Sequence, residues 1–446
     1  LISPIGRAIM NIYPVPNLQN ETNNNYLNQY AKEDKRWLNV GKVDWNINES
    51  MRAYVRFSYD YQHYRDMVTW AAGSNLPFIN SGWNRPDKAL VGNFTKTWSA
   101  SMVSETMFNW QKDYVNAGLD VLKDPSLIDR TKRGLGDLPL AFPNGSNILP
   151  QIQGTGYQDF QFNRFPWYAK APEYQLTHTM SLIKGTHLFK WGVQYILNKK
   201  DEINAATEKG NFNFGVNSAS EFDMGYSPAN ILVGAVSQFT QVDNQSRKYS
   251  KYQDFHAFIQ DTWKVTPTFT LDYGLRFYHI PSEFNTDQEI SKDAVFLSSL
   301  YDPSKAPRYY IVNPKNTKTL IDPLFPNNPL PANQFSALLY SLVPGSGDQR
   351  NGVVPLGGQY GVSGVRNPKY ILFAPRGGFA WNFTPKTVLR VGFGWSYNRP
   401  TIGQSTGTFQ NGMAQQIDYR LTSLSTLHNP SVTRLSPLTF GARDEA

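Results

Sequence analysis

Six histidines, at positions 63, 178, 187, 256, 279 and 428, are the first side chains to test for chemistry. No two stand four apart, so the His-Glu-x-x-His zinc helix is absent. Cysteine is missing altogether, which removes thiolate ligands, thiol nucleophiles and disulfides. The pair Gly392 and Gly394 lacks the third glycine of a dinucleotide loop and sits in an alternating run, where glycine marks a kink or a close approach. Paired carboxylates for glycoside hydrolysis meet in space rather than in sequence. Asp261 is the one acidic residue that draws attention. These spacings assign no catalytic residue, metal ligand or cofactor.

Binding has more candidates than catalysis. Trp70, Trp83, Tyr157, Phe165, Trp167 and Tyr168 fall between the regular runs described below. Aromatic faces pack well on sugars and peptides, so Trp70, Trp83, Tyr157, Trp167 and Tyr168 are the candidate substrate-binding set. The plainer reading is that they pack the connections against one another. The charge of +8 comes without clustering: the densest group is Arg130-Thr131-Lys132-Arg133. A nucleic-acid footprint needs a basic patch, and no nucleic-acid partner is expected.

The elements that must position these residues are strands. Fourteen per cent of the chain is aromatic and only 17% charged, which argues against disorder. No apolar run approaches the roughly 20 residues of a membrane helix. Period-two alternation is strong instead. Phe189, Trp191, Val193, Tyr195 and Leu197 alternate with Lys190, Gly192, Gln194, Ile196 and Asn198. The same pattern runs from Met51, Phe269 and Leu389. One phase is large, apolar and aromatic; the other carries mostly charge, amides and glycine. Each run spans about ten residues, enough for a tilted strand to cross a bilayer.

The runs come in pairs: 36–46 with 51–61, 88–98 with 102–114, 174–183 with 188–198, 252–263 with 269–280, and 373–381 with 387–397. Three to five residues separate the members of a pair. Long connections, 62–87, 115–173, 199–251 and 281–372, separate the pairs. Short turns on one side and long loops on the other are the asymmetry of an outer-membrane barrel. Inside the connections, Phe212 and Phe214 suggest a short strand, Gln238–Val242 another, and 218–236 a short helix, giving about 11 to 14 strands.

Several stretches resemble TonB-dependent outer-membrane receptors. Gln260-Asp261-Thr262-Trp263-Lys264-Val265-Thr266-Pro267 followed by Leu271-Asp272-Tyr273-Gly274-Leu275-Arg276 is similar to one hairpin of that family. Val43-Asp44-Trp45-Asn46 with Arg56-Phe57-Ser58-Tyr59 is similar to an early one. Gly185-Thr186-His187 with Lys190-Trp191-Gly192, and Pro375-Arg376-Gly377 with Arg390-Val391-Gly392, resemble two more. Tyr13-Pro14-Val15-Pro16-Asn17 is similar to a segment of the Oar-like branch.

The resemblance implies an all-β fold: an antiparallel transmembrane β-barrel with long extracellular loops. Residues 1–446 would be part of a 22-stranded barrel, without plug, signal peptide or last strands. It implies an outer-membrane location, lipid around the barrel, and a TonB partner acting through a missing N-terminal region. The cargo would be a bulky nutrient such as an oligosaccharide, peptide or metal chelate, and in this reading Asp261 is structural. A secreted β-rich protein that binds or cleaves glycans is the alternative, and a passive pore a third. The face rule separates the barrel from the secreted alternative: Val193→Arg and Leu275→Arg should abolish insertion, and Gln194→Arg should not. A plug domain encoded upstream would separate the importer from the passive pore.

Overall fold

The computed structural model describes residues 2–398 apart from stretches within the connections, the longest being 67–79, 160–166, 286–293 and 356–370, together with 408–409 and 416–420. Ten long strands form one antiparallel sheet. They are β1 (Glu33–Asn48), β2 (Met51–Asp66), β3 (Asn80–Ser99), β4 (Met102–Asp120), β5 (Trp167–Lys184), β6 (His187–Ile203), β7 (Arg247–Thr266), β8 (Phe269–His279), β9 (Leu372–Thr384) and β10 (Thr387–Gly394). Each pairs with the next in chain order, and Phe284–Asn285 adds a two-residue pairing to β7. No β10–β1 pairing occurs among the described residues, so the observed object is an antiparallel meander, not a closed 22-stranded barrel.

Two-residue turns close all five hairpins, tighter than the three to five residues expected. Four share one device. A side-chain oxygen at the end of the first strand accepts the backbone N–H two residues on: Asn48 from Ser50 at 2.9 Å, Ser99 from Ser101 at 3.2 Å, Thr266 from Thr268 and Thr384 from Lys386 at 3.3 Å. Such side chains mimic a backbone turn. The fifth hairpin turns at Gly185, whose φ of +60° would strain any residue with a Cβ.

The register fixes the two faces. Val43, Val55, Gly92, Phe108, Leu176, Tyr195 and Phe255 follow one another across β1 to β7 in a single row. Trp191, Ile259, Leu275 and Pro375 form another across β6 to β9. One residue over, on the opposite face, Asp44, Tyr54, Asn93, Met107, Thr177, Gln194, His256 and Tyr278 run in register. The apolar face stays in solvent contact: Val43, Val55, Phe108, Tyr195 and Phe255 are all exposed. A soluble sheet would cover such a face, because apolar area gains about 25 cal/mol per Å² on leaving water. The aromatic rows are therefore not the dry centre of paired sheets.

Nine of the ten strands exceed the ten residues expected, and β10 has eight. β3 and β7 have 20 each and β4 has 19. At about 3.3 Å per residue and a tilt near 45°, 20 residues rise about 45 Å, against an apolar band about 25 Å tall. The sheet therefore continues well past the band on the long-connection side.

The packed core lies in the connections. Helix α1 (Pro4–Met10) docks on α2 (Ser227–Val233), which lies between β6 and β7. Ile5, Ile9 and Ile12 bury against Leu135, Leu138, Leu149 and Ile152 and against Phe212, Phe214, Ile231 and Phe239. Short strands at Gln151–Gln153, Asn211–Asn213 and Gln238–Val242 run through this core. The strand expected around Phe212, the one at 238–242 and the helix within 218–236 are all present. Buried Gln241 holds Phe142 by both its N–H and its C=O, each at 3.0 Å. The basic cluster is used structurally: the Arg130 guanidinium donates to the carbonyls of Leu135, Gly136 and Leu138.

A second folded piece lies between β8 and β9. The hairpin Ile311–Asn313 and Asn316–Ile321 buries Leu320 against Leu338. Arg308 clamps Asp322 with two hydrogen bonds of 2.9 Å. Those bonds hold the Asp322 carboxyl below its ordinary value of 3.8, assisted by the N–H of Leu324. A depressed carboxyl stabilises the fold above its unfolded value, and that contribution is lost as pH falls through the folded one. Protease protection of 303–355 should therefore weaken as the pH falls below the ordinary carboxyl value of 3.8. Asp322→Asn should lower protection at neutral pH and flatten this dependence. An unchanged acid profile in Asp322→Asn would show that the clamp is not its source.

Candidate functional site

Of the aromatic candidates, Trp70, Tyr157 and Phe165 lie outside the described residues. Trp83, Trp167 and Tyr168 are not in loops, because β3 and β5 extend to include them. Trp83 stands 16 residues before the end of β3 and shares the polar face with Trp167. Its ring stacks on Tyr64 at 5.4 Å and meets the edge of Trp167 at 5.2 Å. With Val115, Ala117 and Ala169 around it, Trp83 is only 3% exposed. Trp167 donates its indole N–H to Glu202 at 3.2 Å. Tyr168, on the opposite face, meets Tyr114 edge-on at 5.5 Å. Trp83 and Trp167 thus brace the upper end of the polar face rather than offer open stacking surfaces.

Asp261 lies on the apolar face one residue from the Gln260 and Thr262 positions that face the other way. It is 4% exposed and accepts from His187 Nδ1 at 2.7 Å and Tyr273 Oη at 2.8 Å. The imidazole is stacked between Phe189 and Trp263, with centroids at 5.4 and 5.2 Å. Two stretches 70-odd residues apart, the Gly185-Thr186-His187 turn and Gln260-Asp261-Thr262-Trp263, therefore meet in one cluster that ties β6, β7 and β8 beside their turns. Asp261→Ala leaves both donors without an acceptor and should lower unfolding stability by about 2–3 kcal/mol. Asp261→Glu should recover part of that loss. Urea unfolding followed by tryptophan fluorescence measures it, and an unchanged midpoint for Asp261→Ala would refute the clamp.

The remaining chemistry lies on the polar face of β6 to β10. Arg276 Nη2 donates to Gln194 Oε1 at 2.7 Å and lies 3.2 Å from His256 Nδ1. Arg376 Nη2 donates to Gln260 Oε1 at 2.6 Å. Both guanidinium groups stand 5.9 Å from the centre of the Phe258 ring, within cation–π reach. That ring lies across Gly192, where a Cβ would come within 2.9 Å of it. A hollow of about 380 Å³ is lined by Gln260, Asp272, Arg376 and Arg390 from this face and by Tyr273 and Phe393, among others, from the apolar phase. Among the described residues no group of three His, Asp or Glu is arranged to hold a metal ion.

This cluster was not singled out from the sequence. Its members come from five strands spread between Gly192 and Gly392, so no local spacing marks them. The only signal is their common phase in the alternation, as with Lys190, Gly192 and Gln194, or Gly274 and Arg276. The Gly-x-Ser-x-Gly spacing of a serine-nucleophile elbow occurs at 403–407 and lies outside the described residues.

Comparison with known proteins gives one decisive match and several distant ones. A family model described as an outer membrane beta barrel domain matches residues 1–443. No curated protein matches. Among solved structures, the copper transporter OprC aligns with a TM-score of 0.38 at 11% identity, over 87% of this chain and 42% of that one. The ferric-catecholate import receptor Fiu of E. coli K12, in its closed form, gives 0.38 at 10%, over 86% and 48%. The outer membrane transporter YddB from Escherichia coli gives 0.38 at 9%, over 87% and 44%. The chain spans just under half the length of these proteins, and at such distance their likeness carries no functional inference. The family match covers nearly every residue and agrees with a ten-stranded meander that is apolar on one face and polar on the other. The chain belongs to the outer membrane beta barrel domain family, and it resides in the outer membrane.

Proposed function

We propose that this chain is the wall of an energised importer of a bulky nutrient, an oligosaccharide, peptide or metal chelate. In this reading the meander is part of a larger closed barrel of the TonB-dependent kind, of the Oar-like branch. A TonB-type partner in the periplasm drives passage, and the long connections make first contact with cargo. One observation carries the reading. Across β1 to β7 the register keeps an apolar, mostly exposed row back to back with a row in which Asp44, Tyr54, Asn93, Thr177, Gln194 and His256 are polar and only Met107 is not. A wall that is greasy outside and hydrophilic inside surrounds water in a bilayer, and water-lined space is what a bulky polar solute needs.

The test is growth of the host on single nutrients from the three cargo classes, with the gene intact or deleted and with or without a proton uncoupler. Loss of growth on one class after deletion, together with uncoupler-sensitive uptake in the intact strain, is the expected result. Unchanged growth on all three would refute the importer. Loss of growth with uptake indifferent to the uncoupler would favour a passive pore.

A further inference from the structure

Cationic side chains gather on the polar wall of adjacent strands β8 to β10. Some arginines find carboxylates: Arg36 meets Asp60, Arg247 meets Asp201 and Arg308 meets Asp322. Arg276, Arg376 and Arg390, on adjacent strands β8, β9 and β10, have no carboxylate within 4.0 Å among the described residues. Their acceptors are neutral amides, Gln194 for Arg276 and Gln260 for Arg376. The buried Nε of Arg276 makes no hydrogen bond. Asp272, which lines the same hollow, is engaged by the Thr262 hydroxyl across β7 and β8. Lys190, the register neighbour of Gln260, adds a further cation to the row.

Guanidinium groups bind carboxylate and sulfate with paired N–H donors. In a confined wall their summed field concentrates anions. Phe258 lies among them as a flat apolar surface braced over Gly192, suited to the C–H face of a sugar ring. Gln194 and Gln260 each have an amide N–H₂ to offer hydroxyl groups. The register staggers the cations: Arg276 pairs with Ala374, two residues from Arg376, and Arg390 pairs with Ala380, four residues further on. Offsets of about 7 and 13 Å along the strands suit an anion that repeats along a chain better than a single compact one.

We infer that this wall is a binding station for an acidic oligosaccharide, with its carboxylates on Arg276, Arg376 and Arg390 and a sugar ring against Phe258. The inference rests on the importer reading above and narrows its cargo. The probe is trigalacturonic acid, compared with its fully methyl-esterified form, which keeps the rings and removes the charge. Both are titrated by calorimetry into the protein extracted from the outer membrane in detergent, at low and high salt.

The acid should bind, more weakly as salt rises, and the ester at least tenfold more weakly. Arg276→Gln and Arg376→Gln should each reduce affinity for the acid about tenfold. Arg376→Lys should lose less, and Phe258→Leu should weaken acid and ester alike. Heat-dependent gel mobility identifies the variants that remain folded, and only those are compared.

No binding of the acid, equal binding of acid and ester, or wild-type affinity in folded Arg376→Gln would each overturn the assignment. So would the outcome expected if the arginines face carboxylates of a polypeptide lodged against the wall: a lower unfolding temperature in the Gln variants with acid binding unchanged. Acid binding that behaves as expected, beside uptake that fails, would refute the importer and leave the station standing.

Discussion

Val193→Arg and Leu275→Arg should each sharply reduce, and together abolish, the folded outer-membrane fraction. Both residues sit six positions from the start of their strands, β6 and β8. At about 3.3 Å per residue and a tilt near 45°, that is about 14 Å above the turns, close to the middle of a 25 Å apolar band. Both belong to the apolar rows: Val193 pairs with Ala257, and Leu275 with Ile259 and Pro375. A lipid-facing arginine at mid-depth costs about 2–4 kcal/mol, so two would remove about 4–8, a large part of a total stability of about 5–15 kcal/mol.

The control on the polar face needs care. Parity alone points to Gln194→Arg, and Gln194 does lie on that face. Its Oε1 is also the acceptor for Arg276, with His256 Nδ1 at 3.1 Å. A new guanidinium there would lose the acceptor and face like charge. Thr177→Arg, on the same row of β5 and seven residues from the turn, avoids the conflict and should insert normally. The readout is the folded fraction in outer-membrane preparations by heat-dependent gel mobility. Equal insertion of all three variants would mean that the apolar rows do not face lipid, and would favour the secreted alternative.

Gly6→Val should release α1 from the connections without disturbing insertion. A Cβ at Gly6 would stand 2.0 Å from the Ile231 carbonyl oxygen and 2.8 Å from that of Leu232. Both are backbone atoms of α2, and Ile231 O already accepts from Gly234 N. Neither can swing aside as a flexible side chain would. The helices can approach so closely only at a residue without a side chain, and Ser3 N completes the junction by donating to Leu232 O at 2.7 Å.

Undocking exposes Ile5, Ile9 and Ile231, each buried in the native state. At about 1.5–3 kcal/mol per buried side chain, the loss exceeds the whole stability expected of a seven-residue helix, which does not persist alone in water. The expected result is rapid cleavage of the segment around 11–19 by an added protease, with membrane insertion unchanged. Gly6→Ala should act in the same direction, and exposed Arg7→Ala should leave protection intact. Protection of Gly6→Val at the wild-type level would show that the helices are not held together here.

How much of this was legible can be judged from particular residues. The alternation from Met51, Phe189, Phe269 and Leu389 announces strands because each residue's face depends only on its own position along the chain. The positions of the five turns were legible as breaks in that alternation, but as three to five residues rather than two, because the tightening comes from Gly185 and from Asn48, Ser99, Thr266 and Thr384 closing on a backbone two residues away. Strand length was not. Trp83 and Trp167 read as loop aromatics, because the strands run past the band on pairing alone. Only Glu202, Tyr64 and Ala117, brought in from other strands, explain their burial.

By itself the sequence determined the class of element, the apolar and polar phase of each long strand and the pairing of neighbours, since period and turn chemistry act over a few residues. The tertiary structure decided which side chains from distant strands share a place. It set His187 against Asp261 and Tyr273, gathered Arg276 and Arg376 around Phe258, and seated Gly6 under Ile231. Those encounters depend on register summed across several strands and on how closely two helices meet. Neither quantity is carried by any one stretch of chain.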